Sequence, residues 1–194
     1  MTRGGLLWSG EHWIAYLRRP GEDSNCASVG VYHTRWSPAG EGNVALIDIE
    51  GEGGFTAAVA DNPAVYDFTM ERVRAAAPDD PFNDLDLPLL HGSIVRGGDV
   101  RSAPYWLITA GGRTVVATWS DLVTPFIMTG KAPNDRGVAV AFSVLIFSDG
   151  GSIALDGSQA PGAPYTREGW RRITGPDGPA NSFCFALAET YTAE

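Results

Sequence analysis

The sequence predicts an all-β fold, arranged as an antiparallel up-and-down β-barrel. Apolar runs with strand-type alternation recur from one end of the chain to the other. Turn-forming stretches such as Arg19–Asp23 and Ser37–Gly40 separate most of these runs. Such spacing favours an antiparallel meander over alternating strands and helices, which would indicate a parallel sheet.

Ten segments carry the strand pattern. They cover 11–18, 27–36, 43–50, 53–60, 85–96, 103–110, 113–120, 138–148, 151–157 and 181–191. An open sheet of this size would leave two exposed edges, and closure removes them. Because short turns join most neighbours, we expect a barrel of about 8–10 strands. The alternative is a two-sheet β-sandwich.

The segment 104–120 gives the strongest evidence for a hairpin. It turns at Gly111–Gly112, where glycine accepts the positive φ that a two-residue turn requires. This turn places Trp106 opposite Ala117. The predicted core face then holds Trp106, Ile108, Val115, Ala117 and Trp119.

The segment 138–156 is interpreted as a second hairpin. Its turn is placed at Asp149–Gly150, so that Ser148 pairs with Gly151. One face then collects Val140, Phe142, Val144, Ile146, Ile153 and Leu155.

One helix is predicted over 63–77, with Asp61 or Asn62 as its cap and Pro63 at its first position. We expect this helix to plug or cap one mouth of the barrel. A short helical turn is also predicted over 166–173.

Length and charge limit the function classes. The 194 residues fit one domain, 1–194. The net charge of −9 repels phosphate backbones, so we expect no nucleic-acid partner.

No apolar segment approaches a membrane span, and no signal-peptide pattern opens the chain. We therefore expect no membrane partner and a reducing, cytoplasmic location. In such a compartment Cys26 and Cys184 are expected to be free thiols, and the alternative is a disulfide between them.

Familiar cofactor and metal motifs are absent from the sequence. The three histidines, His12, His33 and His91, share no short ligand spacing, so no metal site is predicted. The sequence contains no phosphate-binding glycine loop placed between a strand and a helix, and no nucleophile elbow. We therefore predict no cofactor.

The predicted architecture is similar to that of lipocalins, whose barrels hold one small ligand. The opening strand of a lipocalin typically carries Gly-x-Trp. The nearest stretch here, Gly10–Trp13, is one residue longer. The similarity is therefore one of architecture, and it assigns no family.

Aromatic side chains predict the wall of a ligand cavity, since the core of a barrel is also its cavity wall. The predicted ligand-binding residues are Trp106, Trp119, Tyr105, Tyr32, Trp36, Phe142 and, as a polar anchor at the rim, Asp121. Titratable groups near the ends of apolar stripes are candidates for proton transfer. The predicted catalytic residues are His91, His33, Asp48 and Glu189.

Three functions are compatible with these features. We expect a binding protein that encloses a small, largely apolar or aromatic organic molecule in the barrel cavity. The alternative is a cofactor-independent cyclase, isomerase or hydratase of the same barrel type. The third is a structural protein with a filled interior. The sequence leaves the ligand, its turnover and dimerisation open.

Overall fold

The computed structural model describes residues 5–74, 80–130 and 137–193, and this part of the chain forms an all-β fold. Its strands are β1 (Gly5–Leu17), β2 (Ala27–Trp36), β3 (Gly42–Ile49), β4 (Phe55–Ala60), β5 (Leu89–Asp99), β6 (Ala103–Ala110), β7 (Arg113–Leu122), β8 (Phe126–Thr129), β9 (Val138–Leu155), β10 (Ser158–Gln159) and β11 (Phe183–Ala193). The two short α-helices are α1 (Pro63–Phe68) and α2 (Arg171–Thr174). A π-helical segment (Thr69–Val73) continues α1, and a 3₁₀ turn (Glu168–Trp170) precedes α2.

Nine of these strands close into a barrel. The order runs β9, β11, β1, β2, β3, β4, β5, β6 and β7, and β7 pairs with β9 to complete the ring. β8 and β10 pair with β9 outside this ring. The predicted barrel is confirmed, but it is mixed, because β4 and β5 run parallel from Ala58–Leu89 to Ala60–His91. The chain between them carries α1 and the π-helical segment, as a parallel connection requires a long crossover.

The β6–β7 hairpin matches its prediction residue by residue. Trp106 pairs with Ala117, and Ala110 pairs with Arg113. Both Gly111 and Gly112 adopt positive φ. Turn chemistry and alternation agree in this segment, so only one register buries the apolar face.

The predicted hairpin over 138–156 is wrong, because β9 is one continuous strand. Its first part pairs with β8 and β11, and its second part pairs with β7. Gly151 serves close packing here, since a Cβ atom at this position would overlap the ring of Phe183 on β11. A glycine that makes room for a neighbouring ring was thus mistaken for part of a turn.

Aromatic rings fill the middle of the barrel. Trp13 stacks on Phe185 with 3.9 Å between ring centroids, and it meets Trp119 edge-on at 5.1 Å. Trp106 and Phe183 extend this cluster towards β6 and β9, and all five side chains are at most 2% exposed. The interior of the barrel is therefore a packed core at this level.

A second apolar layer covers one side of the barrel from outside. Val65 of α1 and Val73 of the π-helical segment pack against outward-facing residues such as Val44 and Leu46 of β3. The helix begins at Pro63 with Asn62 as its cap, as predicted, since the Asn62 side chain accepts a hydrogen bond from the Ala64 amide.

This helix does not cap a mouth of the barrel as expected. It lies on the outer wall against β3 and β4. Residues 75–77 of the predicted helix lie outside the described residues. None of the helices in the described ranges is long and apolar enough to cross a membrane.

Candidate functional site

The candidate site is a cavity of about 110 Å³ between the outer wall of the barrel and the layer that covers it. We call it the outer pocket. Its apolar walls come from side chains of five elements: Ile14 of β1, Met128 of β8, Leu145 of β9, Ile173 of α2, and Cys184 and Ala186 of β11. Its polar groups are His12, Glu189 and Tyr191, and the indole of Trp170 also lines it.

A β-bulge in β11 brings Glu189 into the outer pocket. Ala186 pairs with His12 and Glu189 pairs with Gly10, so three steps along β11 match two steps along β1. The same mismatch occurs against β9. Phe185 points into the barrel, but the extra residue turns Glu189 and Tyr191 to the outside. Bulges commonly re-aim a side chain in this way.

His12 approaches the carboxyl group from β1. Its Nδ1 lies 3.9 Å from Oε2 of Glu189, and its side chain is 18% exposed. The hydroxyl of Tyr191 donates to the same Oε2 at 2.9 Å. His12 Nε2 is buried and has no hydrogen-bond partner within the described ranges. Because an unpaired buried polar atom is costly, this nitrogen is a natural contact for a ligand.

Tyr32 of β2 closes one side of the imidazole. It stacks on His12 with 4.2 Å between ring centroids. Its hydroxyl is also buried without a hydrogen-bond partner among the described residues. The stacked side chains of His12 and Tyr32 thus each carry one buried polar atom without a hydrogen-bond partner among the described residues: Nε2 and the hydroxyl oxygen.

Burial sets the protonation states of both titratable groups. It raises the pKa of the Glu189 carboxyl to about 7, against the hydrogen bond from Tyr191, which lowers that pKa. Burial, and after it the positive charges of Arg167 and Arg74, lowers the pKa of His12 to about 3. Near neutral pH the pocket therefore holds a neutral imidazole beside a carboxyl group that is present in both its protonated and its ionised form.

The predicted catalytic residues do not lie together. Glu189 lines the outer pocket. His91 is exposed on β5, and Asp48 accepts a hydrogen bond from Thr56 at the surface. His33 lies on the inward face of β2, at one mouth of the barrel, 6.0 Å from the ring of Trp106. These catalytic roles stay predictions.

A charged cluster occupies the mouth near His33. The Glu11 side chain is fully buried and pairs with Arg35 and Arg96, with Arg96 Nη1 at 2.6 Å. His33 Nδ1 lies 2.7 Å from Oδ1 of Asn43. Since the amide nitrogen of Asn43 donates to Asp61 at 2.7 Å, its oxygen faces His33, and His33 Nδ1 carries the proton of this bond.

The predicted ligand-binding residues do not lie together either. Trp106 and Trp119 are buried in the packed interior. Tyr32 stacks on His12 beside the outer pocket. The others lie at the surface: Tyr105, Trp36, Phe142 and Asp121. Their binding roles stay predictions.

Sequence reasoning did not select His12 or Tyr191. His12 continues the outward stripe of β1 that contains Ile14 and Tyr16, and this alternation is visible in the sequence. The bulge that gathers Glu189 and Tyr191 beside it leaves no comparable signal. Within the described ranges, no group of three or more potential ligands is placed to hold a metal ion.

Comparisons with known proteins add no relative to this picture. No protein-family model, no curated protein and no solved structure matches the chain.

Proposed function

We propose that the protein binds a small, largely apolar organic molecule with one polar group, and that the outer pocket holds it without metal or nucleotide. The observation that carries this proposal is the unpaired Nε2 of His12 at an apolar-walled cavity. A hydroxyl or carbonyl group on the ligand would supply the missing hydrogen bond. The apolar remainder would fill the space between Met128, Leu145 and Ile173.

The size of the cavity limits the ligand. A dry cavity of about 150 Å³ in a protein core can bind benzene. The outer pocket, at about 110 Å³, thus suits a single small ring or a short branched chain. The packed rings of Trp13, Trp119 and Phe185 in the barrel favour this outer location over the cavity inside the barrel that the sequence suggested.

Phenol is a suitable probe, because it combines one ring with one hydroxyl group. Calorimetric titration of the purified chain with phenol and with cyclopentanone tests binding. The Ala186→Leu variant fills the pocket, and we expect it to weaken binding by at least about tenfold. Ala188→Leu is the matched control, since Ala188 lies on the same strand but is exposed.

The titration has three possible outcomes. Saturable binding that survives in Ala188→Leu and is lost in Ala186→Leu supports the proposal. Binding that is equal in the two variants places the ligand elsewhere. No binding of either probe by the unmodified chain rejects a ligand of this class.

A second candidate function is a cofactor-independent enzyme, such as an isomerase, that moves a proton on the bound molecule. It is favoured by one observation: His12 and Glu189 approach to 3.9 Å with opposite protonation tendencies. The Glu189 carboxylate would accept a proton from carbon, and its protonated form would return it. NMR detection of deuterium uptake from D₂O at the α-carbon of cyclopentanone tests this function, with Glu189→Gln as the inactive comparison.

We also propose a cytoplasmic location. Cys26 and Cys184 are both buried and unpaired, which suits a reducing compartment. Burial raises the pKa of both thiols, so neither is an activated nucleophile. Fractionation of cells that produce the protein tests the location.

A further inference from the structure

A second cavity lies further along the outward face of β1. It measures about 300 Å³, and both Arg18 and Arg167 line it. We call it the arginine cleft. Its other polar lining includes the side chains of Asp23, Ser24 and Tyr165. Asp23 is the only carboxylate among its described lining residues, so cations outnumber anions there.

Arg18 lacks a carboxylate partner. No Asp or Glu of the described ranges lies within ion-pair distance of its guanidinium, and its Nε is buried without a hydrogen-bond partner. The neighbouring Arg19 contrasts with it, because Arg19 pairs with Glu22 at 3.2 Å and with Glu50 at 3.4 Å. Glu22, the acidic residue closest to Arg18 in sequence, is thus already engaged.

Aromatic rings hold the two guanidinium groups. Arg18 lies 3.9 Å above the ring of Tyr165, whose hydroxyl donates to Asn25 at 2.7 Å. Arg167 lies 5.3 Å from the ring of Tyr16. Stacking on Tyr165 orients the Arg18 guanidinium and leaves its edge available for hydrogen bonds.

We propose that the arginine cleft binds a small oxyanion, as the carboxylate or phosphate group of a small organic acid. Guanidinium groups recognise such oxygens through paired N–H donors, and the partnerless Arg18 Nε supplies one. Its described lining residues carry a local positive charge on a chain whose net charge is −9. It differs from the outer pocket, whose described lining residues include neither arginine.

Inorganic phosphate and acetate are the probes, each titrated at constant ionic strength and followed by amide chemical shifts. Saturable shifts around Ser24 and Tyr165 are expected. Stronger binding of phosphate identifies a phosphate site, and stronger binding of acetate identifies a carboxylate site. We expect Arg18→Gln to weaken binding at least about tenfold. The control is Arg101→Gln, because Arg101 is exposed and paired with Asp99.

A gain of affinity provides the sharper test, because misfolding cannot produce it. Asp23→Asn removes the only carboxylate among the described lining residues and should tighten phosphate binding by about two- to fivefold. The proposal is overturned if neither anion saturates, if Arg18→Gln binds as the unmodified chain does, or if Asp23→Asn weakens binding. Phenol binding to the outer pocket is measured in parallel, so either site can fail alone.

Discussion

The imidazole of His12 lies flat against the ring of Tyr32, with 4.2 Å between centroids and 11° between planes. The two residues pair directly across β1 and β2. Glu189 of β11 approaches the imidazole at Nδ1, Tyr191 lines the same pocket, and Arg74 and Arg167 add positive charge. Burial and these two charges favour the neutral imidazole in the folded state.

This environment makes the folded protein sensitive to acid through His12. The pKa is 6.5 unfolded and about 3 folded, so the unfolded state binds more protons between these values. Stability therefore rises with pH across this window, by about 2 kcal/mol between pH 4.5 and 6.5. In the His12→Gln variant, the unfolding free energy measured with urea should not show this rise with pH. His91→Gln, on the exposed face of β5, is the control, and an unchanged pH dependence in His12→Gln would contradict the argument.

Glu189 produces the opposite pH dependence. Its pKa is 4.5 unfolded and about 7 folded, so the folded state binds more protons between these values. Its contribution to stability is fully present below pH 4.5 and falls by about 3 kcal/mol as the pH rises through 7.

The Glu189→Gln variant does not carry this pH-dependent cost. Its unfolding free energy, relative to that of the unmodified protein, should therefore be higher at pH 8 than at pH 4.5. The measurement is the difference in unfolding free energy between the two proteins at each pH. Glu41→Gln, at an exposed position, is the matched control. A difference that does not change with pH would place Glu189 in contact with water.

The parts of the fold that were predicted correctly are those where local signals agree. In β6–β7 the Gly111–Gly112 turn and the alternation both specify the same register. In β9 the pair Asp149–Gly150 resembles a turn, but neither Gly150 nor Gly151 has positive φ. Glycine is required at position 151 because the ring of Phe183 on β11 leaves no room for a side chain. This contact is distant in sequence, so the local residue pattern does not reveal it.

The site was harder to predict for a similar reason. In the sequence, Glu189 follows Phe183, Phe185 and Leu187 in strict alternation, which predicts that it faces the same side as they do. The bulge breaks this alternation, so Glu189 reaches the outer pocket instead of the barrel interior. Its partner His12 is 177 positions away, and only the closure of β11 onto β1 brings the two together.

Gly151→Ala tests the explanation for the continuous β9. The added methyl group would meet the ring of Phe183, which is fully buried and packed against Trp119. Because the ring cannot withdraw, we expect a loss of about 1–3 kcal/mol in unfolding free energy. Gly169→Ala is the control, since a methyl group there meets no atom within 4 Å. Equal effects of the two substitutions would refute the close-packing role of Gly151.

Glu11 is expected to be the most sensitive charged residue of the barrel mouth. Its carboxylate is fully buried, whereas the side chains of Arg35 and Arg96 are 57% and 39% exposed. It also accepts a hydrogen bond from the indole of Trp13 at 3.1 Å. Removal of either arginine leaves the carboxylate paired with the other, but an amide at position 11 leaves both guanidinium groups without a counter-ion and offers one acceptor oxygen to three donors.

Glu11→Gln should therefore destabilise the protein by about 2–4 kcal/mol, more than Arg35→Gln or Arg96→Gln alone. Asp99→Asn is the control, because its pair with the exposed Arg101 is solvated and should contribute little to stability. Urea unfolding at pH 7 measures all four variants. If either arginine variant costs as much as Glu11→Gln, the stabilisation comes from that single ion pair, and the shared carboxylate is not the centre of the cluster.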